Sequence, residues 1–289
     1  MVLNHCFVRL LAGLAALAII AMPAAAHADR KILRRSAVRI EYFVDGHGPV
    51  IVLLPSMGRS AEDFDEIVPL LVARGFRVVR PQPRGIGRSS GPTEGVTLHH
   101  LAADVASVIR KEYAMPAIVV GHAYGNFIAR MIAVDHPALV RGVVVAAASA
   151  RPVAPELLDA LNRISDTSRP DAERLDLLRL AMFAPGNDPS GWLRGWHGEA
   201  QRVARAAIAA TPTATWWSAG TAPILEIQPA DDPFKPPAAR GDLIAELGAD
   251  RVSPVLIAHA SHALFPEQPA AVANALAQWA ARLPRPARR

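Results

Sequence analysis

The chain has 289 residues, 51% hydrophobic and 20% charged, with 31 Lys and Arg against 26 Asp and Glu and a formal net charge of +5. This excludes a disordered or collagenous polypeptide, and a core of this size needs neither disulfide nor metal. Cys6 is the sole cysteine, which excludes an intramolecular bridge and a cysteine-based zinc cluster. The basic balance permits contact with nucleic acid or an anionic membrane. Because Lys and Arg form no run longer than two, neither partner is expected.

Residues 1–28 read as an export leader. Arg9 closes a short basic region, Leu10 to Met22 is uncharged and apolar, and Ala26, His27 and Ala28 form a small-x-small site, with cleavage expected after Ala28. The apolar run rises only about 20 Å as a helix against a hydrocarbon core of about 30 Å, so a signal peptide is expected and not an anchor. The mature protein is expected to be periplasmic or secreted, without stable membrane insertion.

Downstream, short β-branched runs alternate with helical stretches, the rhythm of a mostly parallel, doubly wound α/β sheet. Strands are expected at Val38 to Val44, Val50 to Leu54, Phe76 to Arg80, Ala117 to Val120 and Gly142 to Ala146. Helices are expected at Ala61 to Arg74, Leu98 to Glu112 and Asn126 to His136. Between Arg151 and Gly220 the strand signal stops, and helices are expected near Glu156 to Ile164, Asp171 to Phe183 and Glu199 to Ala210. This stretch, 151–220, reads as a helical cap inserted into a core of 29–150 and 221–282. The sheet pattern resumes at Ile224 to Gln228, followed by a helix Ala238 to Leu247, a strand Val255 to Ala258 and a helix Pro269 to Arg282. The tail 283–289 has too little apolar content to pack and is expected to be disordered.

The strand Ala117 to Val120 runs into Gly121, His122, Ala123, Tyr124 and Gly125 and then a helix. This is the setting of a nucleophile elbow, but with alanine at the tip. Four further segments stand at the expected strand ends. They are Leu53 to Gly58, Pro81 to Ser89, Gln228 to Pro236 and Ala260 to Pro269. Together the five segments resemble the α/β-hydrolase fold family over nearly all of the expected mature chain. The resemblance implies a triad acid at Asp232, a base at His262, and oxyanion donors at the backbone N–H of Met57 and Tyr124. Asp231 competes with Asp232 for the role of acid. Departures from the family's pattern are Pro55 and Ser56 for His and Gly, Gln82 for Asp, and Ser261 for Gly.

Ala123 has no atom that can attack, which excludes an ordinary serine esterase. Three readings stay open. Ala123 could be a laboratory replacement, although the scattered departures suggest a natural branch. The protein could be a hydrolase-like enzyme acting on a small apolar molecule through a His262–Asp232 dyad. Or it could be a catalytically silent fold binding a small apolar ligand under the cap.

Ser56 is a candidate replacement nucleophile whose ordinary reading, a turn serine, is favoured. His122 is given no catalytic role. His99 and His100 point apart on a helix with no third ligand, so no metal is expected. Gly85 and Gly87 open no helix, so no dinucleotide is expected, and no other cofactor is implied. Trp192 and Trp196, four apart, share a face if that stretch is helical. They either roof a ligand pocket or form the core of the cap itself. The sequence carries no signal for oligomeric state.

Overall fold

Eight strands form one sheet in the order β1-β2-β4-β3-β5-β6-β7-β8. A computed structural model describes residues 29–284, so the expected leader lies outside the described residues. The strands are β1 (Asp29–Arg35), β2 (Val38–Asp45), β3 (Val50–Leu54), β4 (Arg77–Pro81), β5 (Ala117–His122), β6 (Val140–Ala146), β7 (Ile224–Pro229) and β8 (Val252–Ile257). β2 runs antiparallel to β1 and β4, and all other pairings are parallel.

The helices are α1 (Ile67–Ala73), α2 (Leu98–Lys111), α3 (Gly125–Asp135), α4 (Pro155–Ser165), α5 (Asp171–Ala181), α6 (Gly198–Ala209), α7 (Asp242–Leu247), α8 (Leu264–Glu267) and α9 (Pro269–Arg282). Successive side chains of a strand leave opposite faces, so the central strands feed two cores. Val119, Val143 and Val145 pack with residues of α2 and α3 on one face. Ile118, Val120 and Val144 pack with residues of α1, α8 and α9 on the other. The sheet is thus an α/β, doubly wound, mostly parallel one.

Several boundaries differ from expectation for physical reasons. β1 was missed because Asp29, Arg30, Lys31, Arg34 and Arg35 mask its period. It is a charged edge strand, which resists edge-to-edge pairing. Buried Glu41 on β2 pins it by accepting from Arg30, and Arg88 donates to the same carboxylate. The helix expected over Ala61 to Arg74 divides into a 3-10 turn, Ala61–Phe64, and α1. That expected over Ala238 to Leu247 shrinks to α7. β8 starts at Val252 because Pro254 is tolerated in a strand at the sheet's edge. The expected disordered tail is corrected at its start: Leu283 is buried against the α9 face, and Arg141 donates to the Pro284 carbonyl at 3.0 Å.

Between β6 and β7 the chain makes α4, α5 and α6 with short 3-10 turns. Ile164, Leu178, Phe183 and Trp192 form a third apolar cluster there, joined by Phe234 and Ala263 from the sheet's loops. The carboxyl ends of β3, β5, β6, β7 and β8 lie side by side, with Leu54 opposite Gly121 and His122 opposite Ala146. In a parallel sheet this edge is where loops converge on a ligand.

Candidate active site

The turn after β5 keeps its sharp bend without a nucleophile. Ala123 has φ +45°, a left-handed conformation that costs an L-residue on the order of 1 kcal/mol. Two bonds hold it there. Its N–H donates to the Ala146 carbonyl at 2.8 Å, and its carbonyl accepts from the backbone and side-chain amides of Asn126. The flanking glycines are sterically required. A Cβ on Gly121 would lie 2.3 Å from the Asn126 nitrogen, and one on Gly125 would lie 2.4 Å from the Leu54 carbonyl oxygen.

The acid and base come together across two loops. His262 Nδ1 lies 3.1 and 3.3 Å from the Asp232 carboxylate oxygens, and both residues are buried. Asp232 also accepts the Phe234 N–H at 2.9 Å, which fixes its rotamer. The competition between neighbouring aspartates resolves in the geometry: Asp231 is exposed and has no side-chain bond to His262. His262 Nε2 has no hydrogen-bond partner among the described residues and is not sealed from solvent. The Phe234 ring packs on the imidazole at 4.3 Å.

Three positioning groups around the histidine loop escaped sequence reasoning. His122, fully buried, donates from Nε2 to the His262 carbonyl at 2.7 Å. Burial, reinforced by the nearby His262, pushes its pKa down to about 3, so it is a neutral donor at any working pH. Glu267 accepts the Ser261 N–H at 2.7 Å, and also the Ala184 N–H and the Asn187 side chain on the inserted segment. Burial holds the Glu267 carboxyl above its ordinary value, with these donors opposing the shift. Ser261, where the family pattern has glycine, bonds the Asp231 carbonyl at 3.1 Å and so ties the two loops together. His122 and Glu267 stand in the quoted motifs, but the carbonyl and amides they reach are set only by folding.

The loop after β3 carries the other half. The amides of Met57 and Tyr124 have no hydrogen-bond acceptor among the described residues. Arg59 clamps this loop: it pairs with Asp63, donates to the Arg194 carbonyl at 2.6 Å, and lies 4.3 and 4.8 Å from the rings of Trp192 and Trp196. Gln82, in place of aspartate, accepts the Ala61 N–H and donates to Glu62, which makes it a loop brace. Ser56 shows no side-chain bond to His262.

Trp192 and Trp196 do not share a regular helix, since the 3-10 turn Ser190–Leu193 ends between them. Trp192 sits in the inserted segment's own core, edge-on to Trp196 at 6.0 Å, and Trp196 donates to its carbonyl. The apolar cavity beside the loop after β3 is lined by other residues, so the pocket-roof role is not theirs there. His100 closes a capping box with Thr97, and His99 pairs with Asp135. Among the described residues, no helix is long and apolar enough to cross a membrane.

A sheet in this order, with a left-handed turn after its fifth strand and a buried His–Asp pair on the last two loops, defines an α/β-hydrolase-type protein. The alpha/beta hydrolase family matches residues 51–275, and the chain belongs to it. A pyrrolizixenacetamide deacetylase of Xenorhabdus hominickii is 30% identical over 151 residues, 51% of this chain and 56% of that one. Epoxide hydrolase B of Mycobacterium tuberculosis is 36% identical over 102 residues, 35% of this chain and 29% of that one. The chain therefore spans little more than half of the first relative and under a third of the second. An esterase from Thermogutta terrifontis superposes with a TM-score of 0.71 at 20% identity, covering 88% of this chain and 98% of that one, a likeness of fold alone.

Proposed function

We propose that this protein is a hydrolase-like enzyme acting on a small, largely apolar substrate, with His262 and Asp232 as a general-base dyad and no covalent step. Water takes the place of a serine hydroxyl above Ala123. His262 Nε2 removes a water proton as the oxygen attacks the substrate's electrophilic carbon, and Asp232 holds the ring and stabilises its positive charge. The Met57 and Tyr124 amides receive the developing oxyanion, and the imidazolium returns the proton to the leaving group. General-base assistance of this kind contributes about 10² to 10⁴-fold.

The observation that carries the reading is the buried Asp232–His262 pair with its Nε2 open, a polar arrangement costly to keep for packing alone. The names of the deacetylase and the epoxide hydrolase fit a reaction in which water adds to carbon. The expected leader would place this activity in the periplasm or outside the cell, and mass spectrometry of the exported protein tests for an N-terminus at Asp29.

Turnover of an ester, lactone or epoxide panel by the purified mature protein, abolished by His262→Ala, is the expected result. Ala123→Ser should add a serine-esterase activity with a detectable acyl-enzyme mass. Turnover unchanged in His262→Ala sinks the dyad. The alanine at the elbow favours a second reading, a silent binding protein, and inertness of the unaltered protein across the panel would establish it.

A further inference from the structure

A polar cleft lies behind the loop after β7 that carries Asp232. The loop after β6 forms its wall together with α3 and α7, and its charged lining is Arg130, Arg151 and Lys235 against Glu226, Asp242 and Glu246. Neither His262 nor Asp232 lines it, nor does the elbow tip. We propose that this cleft binds a small zwitterion of the α-amino acid kind, its carboxylate between Arg130 and Lys235 and its ammonium on Glu226. The proposal concerns binding alone and does not rest on the reaction proposed above.

Buried charge carries the argument. Arg130 is fully buried, and among the described residues no carboxylate pairs with it. Its Nε donates to the Asn126 side chain at 3.0 Å and its Nη1 to the Trp217 carbonyl at 2.5 Å, which leaves Nη2 without a partner. Burial, opposed by Glu226, lowers its pKa to about 10, so the guanidinium is charged at neutral pH. Buried Glu226 meets Lys235 Nζ at 3.2 Å through Oε1, whereas its Oε2 has no partner. Lys235 is buried as well, and this single contact leaves donor capacity on its ammonium. Pinning the loop after β7 would need the Lys235–Glu226 contact alone. The unpartnered atoms of Arg130 and Glu226 are in excess of that role, and stranded buried charge is costly to keep.

The signs of these groups choose the ligand. A simple anion would face Glu226, a simple cation would face Arg130 and Lys235, and a neutral molecule would leave the charges uncompensated. Three cations and three carboxylates share the wall, so neither sign prevails and both are offered within one space. An α-amino acid carries both on neighbouring atoms. Access lies past Arg151, which sits 3.4 Å from the Trp217 ring and pairs with Glu246 at 2.9 Å. Both partners of that outer pair are exposed, so it can swing aside without disturbing the buried groups.

The test adds L-alanine, acetate and ethylamine in turn to the ¹⁵N-labelled protein and follows the indole N–H of Trp217, a lining residue, with the Lys235 amide. Saturable shifts are expected with L-alanine, and binding at least tenfold weaker with acetate or ethylamine. Ser149→Trp fills the cleft from its half-buried lip and removes no charge, so with its fold checked by circular dichroism it should abolish the shifts. Glu226→Gln combined with Lys235→Met replaces the ion pair whole and strands neither partner. That double variant should lose the preference for L-alanine over acetate. Equal binding of acetate and L-alanine by the unaltered protein, no saturable shift with any probe, shifts confined to another surface, binding that survives Ser149→Trp, or a preference unmoved in the double variant would overturn the proposal.

Discussion

The elbow after β5 and the loops after β7 and β8 are held by different kinds of contact. The elbow carries alanine at its tip on a backbone held in a sharp left-handed turn, because the sheet and α3 meet there at contacts only glycine can satisfy. The acid and histidine loops keep side chains as well as backbone, and their bonds run between those side chains. The elbow's glycines are therefore evidence of fold, whereas the side chains on the histidine side bear on chemistry.

The largest test falls on the elbow. Gly121→Ala should cost at least about 3 kcal/mol, because the added carbon meets backbone that cannot swing aside. Urea unfolding measures it, and a loss under about 1 kcal/mol would show the strand–helix junction to be compliant.

A smaller effect is expected on the other side. In Glu267→Gln one amide group would replace an oxygen facing a donor, leaving Ser261 N–H or the inserted segment's donors unpartnered at a cost of about 1–3 kcal/mol. Turnover should fall with it. The variant also changes the pH profile. Burial raises the Glu267 carboxyl, so the folded state holds that proton more tightly than the unfolded chain. Its favourable contribution is full below the ordinary value of 4.5 and is lost as pH rises through the raised one. The glutamine variant should lack that decline, and an unchanged slope of stability against pH would refute the assignment.

The smallest effect returns to the tip. Ala123→Gly should stabilise by about 0.5 kcal/mol, relief of the left-handed strain outweighing the entropy glycine adds to the unfolded chain. A loss instead would mean that the methyl group packs favourably enough to offset its backbone cost.

Much of this contrast was readable before folding. The buried parallel strands announce themselves as β-branched runs, and the five motif segments fix their order, so β3 to β7 and the nearness of His262 to one of the two aspartates Asp231 and Asp232 follow from local patterns. β1 was illegible because its charges suit an unprotected sheet edge and erase alternation. The choice between Asp231 and Asp232 needed a rotamer, which the Phe234 amide sets. The roles of His122, Ser261 and Glu267 end on backbone atoms of distant loops, and backbone partners leave no signature in residue identity. The tryptophans left two roles open because a spacing of four shares a face only on a helix, whereas the chain makes a 3-10 turn there and seats Trp192 in the inserted segment's core.

Two of the inserted segment's attachments each adjoin one half of the site. His197 donates to the Gly58 carbonyl and Arg59 reaches Arg194 on one side, while Glu267 grips Ala184 and Asn187 on the other. A wide hinge opening would pull on the oxyanion loop and the base together. Under the proposed reaction, entry would then call for small local movements of the roof, and a cross-link that stiffens α6 would be expected to slow turnover at low substrate more than at saturation.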